Sequence, residues 1–285
     1  MGNQPSEITN QLMETLDINT DLARRILTAF LREEITRTGL RRAVVGLSGG
    51  VDSALACVLA AEALGPQSVL AVRMPYKTSS QESLDHAQLL IDQLGVQSLD
   101  VPITAMADPL LERFPEMSHV RRGNIMARCR MIVLYDQSSN FGGLVVGTGN
   151  KTEIMLGYST LFGDSAHALN PLGDLYKTQV RQLSRAVGVP APIIDKAPSA
   201  DLWPGQTDEG EMGLTYEQVD KLLYLLVDQR YKPEEAVAAG FDAAFVKMVV
   251  ERIRRNHFKR VMPVIAKLSN RTVGYDFLYL RDWGT

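Results

Sequence analysis

The strongest chemical signal in this 285-residue chain is the run Gly46, Leu47, Ser48, Gly49, Gly50, Val51, Asp52 and Ser53. Two adjacent glycines let the backbone turn sharply and gather N–H groups onto an anion. Ser48 and Ser53 add hydroxyl donors, and Asp52 offers the hard oxygen that a magnesium ion on a polyphosphate takes. The pattern reads as a phosphate cradle. The lysine of the common nucleotide loop, G-x-x-x-x-G-K-[ST], is missing, which argues against γ-phosphate transfer of the kinase or GTPase kind. The fixed positions of Ser-Gly-Gly-x-Asp-Ser arise by chance in a chain of this length with a probability on the order of 10⁻⁴ to 10⁻³. A serine-capped helix after an ordinary turn is therefore the weaker reading.

The surrounding elements must aim these groups. A strand-like run, Ala43 to Val45, feeds the loop, and residues 54–64, apolar nearly all round, leave it as a buried helix. Before the loop, Ile26, Leu27, Phe30, Leu31 and Ile35 recur at helical spacing over 19–38, with Gly39 as a stop. After it the sequence predicts a strand over 68–74 and a capping box, Ser79-x-x-Glu82, opening a helix that ends at Gly95. Then come a third strand over 97–101, a helix over 124–139 and a fourth strand over 144–147. Such apolar strands separated by helices indicate an α/β fold, a doubly wound and mainly parallel sheet with helices on both faces. Ligands of such sheets bind beyond the C-terminal strand ends, which groups residues 48–53, Arg73 and Thr148-Gly149-Asn150 around one crevice. The later third reads as a helix over 174–187, a long Pro/Gly/acid loop over 196–213 containing Trp203, and helices opened by Thr215, Pro233 and Asp242. A loop of that length fits a lid, with a plain surface connector as the alternative.

Composition removes several function classes. A length of 285 with 45% apolar residues suffices for one large α/β unit. A formal net charge of −3 gives no global basic field, so no nucleic-acid partner is expected. Cys57 and Cys129 form no C-x-x-C pair, pointing to a reducing compartment and away from a zinc site or thiol relay. The polar first ten residues hold no apolar signal core, and no segment offers about 18 uninterrupted apolar residues. No membrane partner is expected, and the location expected is the cytoplasm.

Ser48-Gly49-Gly50-Val51-Asp52-Ser53 resembles the pyrophosphate loop of the N-type ATP pyrophosphatases, which cleave ATP between the α and β phosphates. Further motifs follow in order: residues 123–131 (Gly-Asn-Ile-Met-Ala-Arg-Cys-Arg-Met), 147–153 (Gly-Thr-Gly-Asn-Lys-Thr-Glu), 173–178 (Gly-Asp-Leu-Tyr-Lys-Thr), 198–203 (Pro-Ser-Ala-Asp-Leu-Trp) and 258–260 (Phe-Lys-Arg). Together they resemble the ammonia-dependent NAD synthetase family, over most of the chain. The resemblance implies an adenine nucleotide alpha hydrolase-like fold and amidation of deamido-NAD with ATP and ammonia. It implies that Asp52 and Glu153 bind magnesium. It further implies that Thr148, Lys177 and Ser199 join residues 46–53 in holding ATP, with Asp52 and Lys177 catalytic, and that Arg128 and Lys259 hold deamido-NAD. It also implies a homodimer with shared sites. One synthetase unit over 1–285 is expected: a helical lead over 1–40, a pyrophosphatase core over 41–195, and a lid with C-terminal helices over 196–285. No glutaminase segment stands beside the motifs, so ammonia is the expected nitrogen donor.

Three departures stand out. Leu161 lies in Thr160-Leu161-Phe162-Gly163-Asp164 where many short bacterial members carry lysine. Ala168 stands in place of an aspartate, and Phe258 in place of a histidine. Leucine at the first position resembles the glutamine-dependent relatives, so these read as subfamily drift. Two rivals stay open. A tRNA-modifying ligase with the same loop would favour a basic surface or catalytic cysteines. A degenerate nucleotide-binding subunit would not need Ser48, Asp52, Ser53, Glu153 and Lys177 intact. Taken singly, Glu153 also fits a solvated helix residue, Lys177 a surface charge, and Arg128 half of a helix ion pair.

Overall fold

A computed structural model describes residues 16–199, 207–261 and 263–276. Its centre is a four-stranded parallel sheet of β1 (Ala43–Gly46), β2 (Val69–Arg73), β3 (Gln97–Asp100) and β4 (Leu144–Val146), in the order β3-β2-β1-β4. Ala43 pairs with Val69 on one side and with Leu144 on the other. The chain therefore moves outward from β1 to β3 and then returns to the opposite flank for β4. This reversal leaves a crevice between the C-terminal ends of β1 and β4.

Alternation along the strands divides the core. Ala43, Val45, Val69 and Ala71 face a layer built by helix α1 (Thr20–Arg37), helix α2 (Val51–Leu64) and helix α3 (Gln81–Leu94). Val44, Leu70 and Val72 face the other layer, from α4 (Thr104–Arg113) and α5 (His119–Phe141). Both faces of the sheet are thus covered, as expected of parallel strands. Helix α2 is buried along most of its length, and fully buried Leu55 and Leu59 each contribute roughly 2 kcal/mol of transfer free energy. Strand β3 departs from the expectation of continuous apolar runs: Gln97, Ser98 and Asp100 are exposed, as suits an edge strand.

Several boundaries shift. Helix α2 begins at Val51, so the last three residues of the loop motif form its first turn, three residues before the apolar run that announced it. The cap of α3 is Ser80, whose hydroxyl accepts from the Ser83 N–H; Ser79 closes a turn onto the Tyr76 N–H instead. Helix α5 starts at His119 rather than 124, capped by Ser118. Helix α4 carries no sequence signal, because its N-cap is Ile103 and Pro109 sits inside it.

After β4 come α6 (Lys151–Leu156), α7 (Lys177–Ala186), α8 (Ala191–Asp195), α9 (Asp208–Met212), α10 (Tyr216–Leu223), α11 (Pro233–Ala238) and α12 (Ala243–Arg255). The expected helix over 174–187 begins at Lys177, with Tyr176 as its cap. The expected loop over 196–213 contains α9, while Ala200, Asp201, Leu202 and Trp203 lie outside the described residues. Thr215 and Asp242 cap α10 and α12 as their spacing requires. Tyr176, Tyr216, Val219, Leu222, Val246 and Val249 form a separate apolar cluster beneath this part. Among the described residues, no helix is long and apolar enough to cross a membrane.

Candidate active site

The loop after β1 extends the sheet by one bond, from the Leu47 N–H to the Val72 carbonyl at 2.9 Å, and then turns. Gly49 makes the turn at φ +83. A Cβ there would stand 2.1 Å from the Ser83 carbonyl oxygen, so no other residue fits. Ser53, buried on the first turn of α2, accepts the Ser48 N–H at 3.2 Å and donates to the Gly50 carbonyl at 2.9 Å. The Ser48 and Ser53 hydroxyls lie 3.0 Å apart. The loop is thus folded on its own side chains before any anion arrives, at a helix N-terminus that favours negative charge.

Asp52 projects from the same turn toward the end of β4. Its Oδ1 accepts from Asn150 Nδ2 at 2.8 Å. Asn150 caps α6 reciprocally with Glu153: Asn150 Oδ1 accepts the Glu153 N–H at 3.0 Å, and Glu153 Oε2 accepts the Asn150 N–H at 3.3 Å. Both carboxylates then meet Lys177, the first residue of α7. Its Nζ donates to Asp52 Oδ2 and, at 3.3 Å, to Glu153 Oε1. Nζ also lies 5.0 Å from the centre of the Tyr216 ring, within cation–π range. Asp208 closes the group from α9, accepting from the Tyr158 and Tyr216 hydroxyls at 3.1 Å each.

Charge and burial oppose each other here. Burial pushes the Glu153 carboxyl above its ordinary range, with Lys177 pulling it down and Asp52 pushing it further up. Burial acts to lower Lys177, but Asp52 and Glu153 outweigh it and hold the ammonium above its ordinary value. Burial likewise raises Asp208. Lys177 is therefore a buried cation among acids, not the surface charge of the bland reading.

Asp52, Glu153, Lys177 and Asp208 line a cavity of about 640 Å³. Ser48, Thr148 and Ser199 line it together with residues of the phosphate loop. Arg73 also lines it, although its guanidinium is engaged by Asp100 at 2.5 and 2.7 Å. Lys259 lines it too, and its Nζ donates to the Gly157 and Ser159 carbonyls at 2.7 and 2.6 Å. Arg128 does not join them: it is exposed, outside the cavity lining, and donates to the Leu161 carbonyl at 3.1 Å. Ala168 and Phe258 are both exposed.

The sequence places Asn150 at the crevice but assigns it no role, and it gives no sign of Asp208, Tyr216 or Asp220 at the site. Asn150-x-x-Glu153 has capping-box spacing directly after a strand, a signal that was present. The others carry no local signal.

A parallel sheet reversing at β1, with a glycine-turned anion loop and a caged lysine in the crevice, defines an α/β nucleotide-binding protein of the adenine nucleotide alpha hydrolase-like kind. A family model described as NAD synthase matches residues 23–263, and the chain belongs to that family. It is 59% identical to the NH(3)-dependent NAD(+) synthetase of Trichlorobacter lovleyi, over 95% of this chain and all of that protein. It is 54% identical to the protein of the same name from Chlorobaculum tepidum, over 95% of this chain and 98% of that one. Among solved structures, the NMN synthetase of Francisella tularensis superposes with a TM-score of 0.78 at 32% identity, covering 88% of this chain and 99% of its own. The NH3-dependent NAD synthetase of Campylobacter jejuni superposes at 0.76 and 30% identity, covering 88% of this chain and all of its own.

Proposed function

We propose that the chain catalyses the ATP-dependent amidation of deamido-NAD by ammonia, giving NAD, AMP and pyrophosphate. The observation that carries this reading is the convergence of Asp52, Glu153 and Lys177 beside the phosphate loop, in one cavity that Lys259 also lines. The nicotinate carboxylate attacks the α phosphorus of ATP, and the bond to pyrophosphate breaks. Ammonia then adds to the carbonyl of the mixed anhydride, its nitrogen gives up one proton to solvent, and AMP leaves with the electrons of the acyl C–O bond. Loop N–H groups with Ser48 and Ser53 hold the phosphates, and Thr148 and Ser199 border the nucleotide. Lys177 stays charged at neutral pH and offsets the charge that builds on departing pyrophosphate. No protein nucleophile is required, and burial pushes the Cys57 thiol up to about 12, far from thiolate chemistry.

Magnesium fits the acidic pair. Asp52 and Glu153 both reach one ammonium nitrogen, so one small cation lies within reach of both. Among the described residues no cluster of three or more such ligands exists, and magnesium on a nucleotide takes one or two carboxylates with phosphate and water completing the shell. When bound, it supplies electrostatic stabilisation of the phosphate oxygens during displacement.

A two-fold homodimer with shared sites completes the reading. Helix α5 leaves Val120, Ile132 and Tyr135 42 to 58% exposed and carries Arg128 outside its own cavity, as suits a helix that a second copy covers. The chain acts as one synthetase unit over 1–285, and cytoplasmic residence suits its free, buried Cys57 and Cys129.

The test is product analysis with ATP, magnesium, ammonium and deamido-NAD. AMP, pyrophosphate and NAD in equal amounts, dependent on both acceptor and ammonium, are expected. Nicotinic acid mononucleotide enters as a second acceptor because of the Francisella neighbour's name, and higher kcat/KM on it would move the acceptor assignment. ADP as product, AMP formation requiring tRNA, or no turnover would overturn the reading.

A further inference from the structure

Asp220 on α10 is wholly buried, and its two carboxylate oxygens hold two different segments. Oδ1 accepts the Thr152 hydroxyl at 2.5 Å, and Oδ2 accepts the Thr178 N–H at 2.8 Å. Thr152 Oγ1 in turn accepts the Lys177 N–H at 3.0 Å. The polarity of this chain is fixed: a threonine hydroxyl has one proton, and with Oγ1 accepting from Lys177 that proton goes to Asp220.

The placement of these partners matters more than their number. Thr152 immediately precedes Glu153, and Thr178 immediately follows Lys177. The N–H groups of Lys177 and Thr178 belong to the first turn of α7, where no intrahelical acceptor exists and a negative charge is favoured. One turn before Asp220, Tyr216 of the same helix lies beneath Lys177 Nζ at 5.0 Å and donates to Asp208 at 3.1 Å. A single helix therefore fixes the backbones that carry Glu153 and Lys177 and also the face on which the ammonium rests. A bare buried carboxylate would be costly, and here its donors are the ends of the two segments that bear the reacting-site side chains.

We propose that Asp220 is a positioning residue for the reaction proposed above, holding Glu153 and Lys177 in the relative placement at which their side chains meet beside the phosphate loop. It touches neither substrate nor metal. Its effect is on geometry at the α phosphorus, so it belongs to kcat and to the magnesium requirement more than to substrate KM.

Three variants test this: Asp220→Asn, Thr152→Val and Thr152→Ser. In the first, the amide NH₂ must face either the Thr152 hydroxyl or the Thr178 N–H, so one donor loses its acceptor. The second leaves Asp220 in place and removes the link to Lys177, and the third restores the hydroxyl. Expected for Asp220→Asn and Thr152→Val is a kcat lowered about 10- to 100-fold, a raised magnesium concentration for half-activation, and a KM for ATP within about threefold of wild type. Thr152→Ser should recover wild-type kcat, and the double variant should be no worse than the poorer single one. If Asp220→Asn does not fold, the Thr152 pair decides. Equal kcat for Thr152→Val and wild type overturns the role of Asp220 while leaving the reaction standing. Absence of AMP formation by wild type overturns the reaction and this role with it.

Discussion

At the residue scale the account rests on Asp52, Glu153 and Lys177. Asp52→Asn keeps the Asn150 contact but loses the carboxylate, while Lys177 retains Glu153 as a partner. Turnover at low millimolar magnesium should fall by at least about 100-fold, with far-ultraviolet circular dichroism and the melting transition retained. Near-normal AMP formation by a folded variant would contradict the magnesium role. The phosphate loop was legible because its chemistry is local: adjacent glycines, two serines and an aspartate within eight positions. The lysine and the second carboxylate were legible only through the resemblance, since they meet Asp52 across 125 and about 100 positions of sequence. Asp208 and Tyr216 were not legible at all. Nothing in their neighbourhoods distinguishes a carboxylate beneath the site from one in solvent.

At the element scale, glycine geometry and helix ends set the site. Gly49→Ala places a methyl group into the Ser83 carbonyl at a positive φ, so the loop must move. ATP affinity, measured by titration calorimetry, should drop at least about tenfold; unchanged affinity would contradict the cradle as drawn. The Asp220 clamp adds a pH signature. Burial pushes its carboxyl up to about 6, against the pull of Thr152 and Thr178, whereas an unfolded aspartate titrates near about 3.9. Between those values the folded state holds more protons, so the contribution of Asp220 to stability declines as pH rises through that window. Asp220→Asn has no such titration. Its deficit against wild type in urea unfolding should therefore narrow between pH 4 and pH 7, by up to about 3 kcal/mol. A deficit constant across that range would contradict the raised carboxyl. The helices opened by Thr215 and Asp242 were legible from their side-chain caps. The helix over 104–113 was hidden by its apolar cap and internal proline, and residues 151–156 were too short to show a period.

At the scale of the whole molecule, the parallel sheet and the crevice followed from strands alternating with helices, and the third strand was expected over 97–101; its polar edge character, with Gln97, Ser98 and Asp100 exposed, is what no apolar count registers. The position of Arg128 outside its own cavity yields an assembly prediction. Coexpressed Asp52→Ala and Arg128→Ala chains, each inactive alone, should regain about a quarter of all sites through mixed dimers with one intact site. Recovery no greater than the sum of the single variants, in a sample containing mixed dimers, would contradict shared sites. The central claim is chemical: the acceptor carboxylate is adenylated in this crevice. Deamido-NAD labelled with ¹⁸O in its nicotinate carboxylate tests it directly, with the released AMP read by mass spectrometry. The account predicts one labelled oxygen transferred to each AMP and none to pyrophosphate, and unlabelled AMP formed alongside NAD would contradict it.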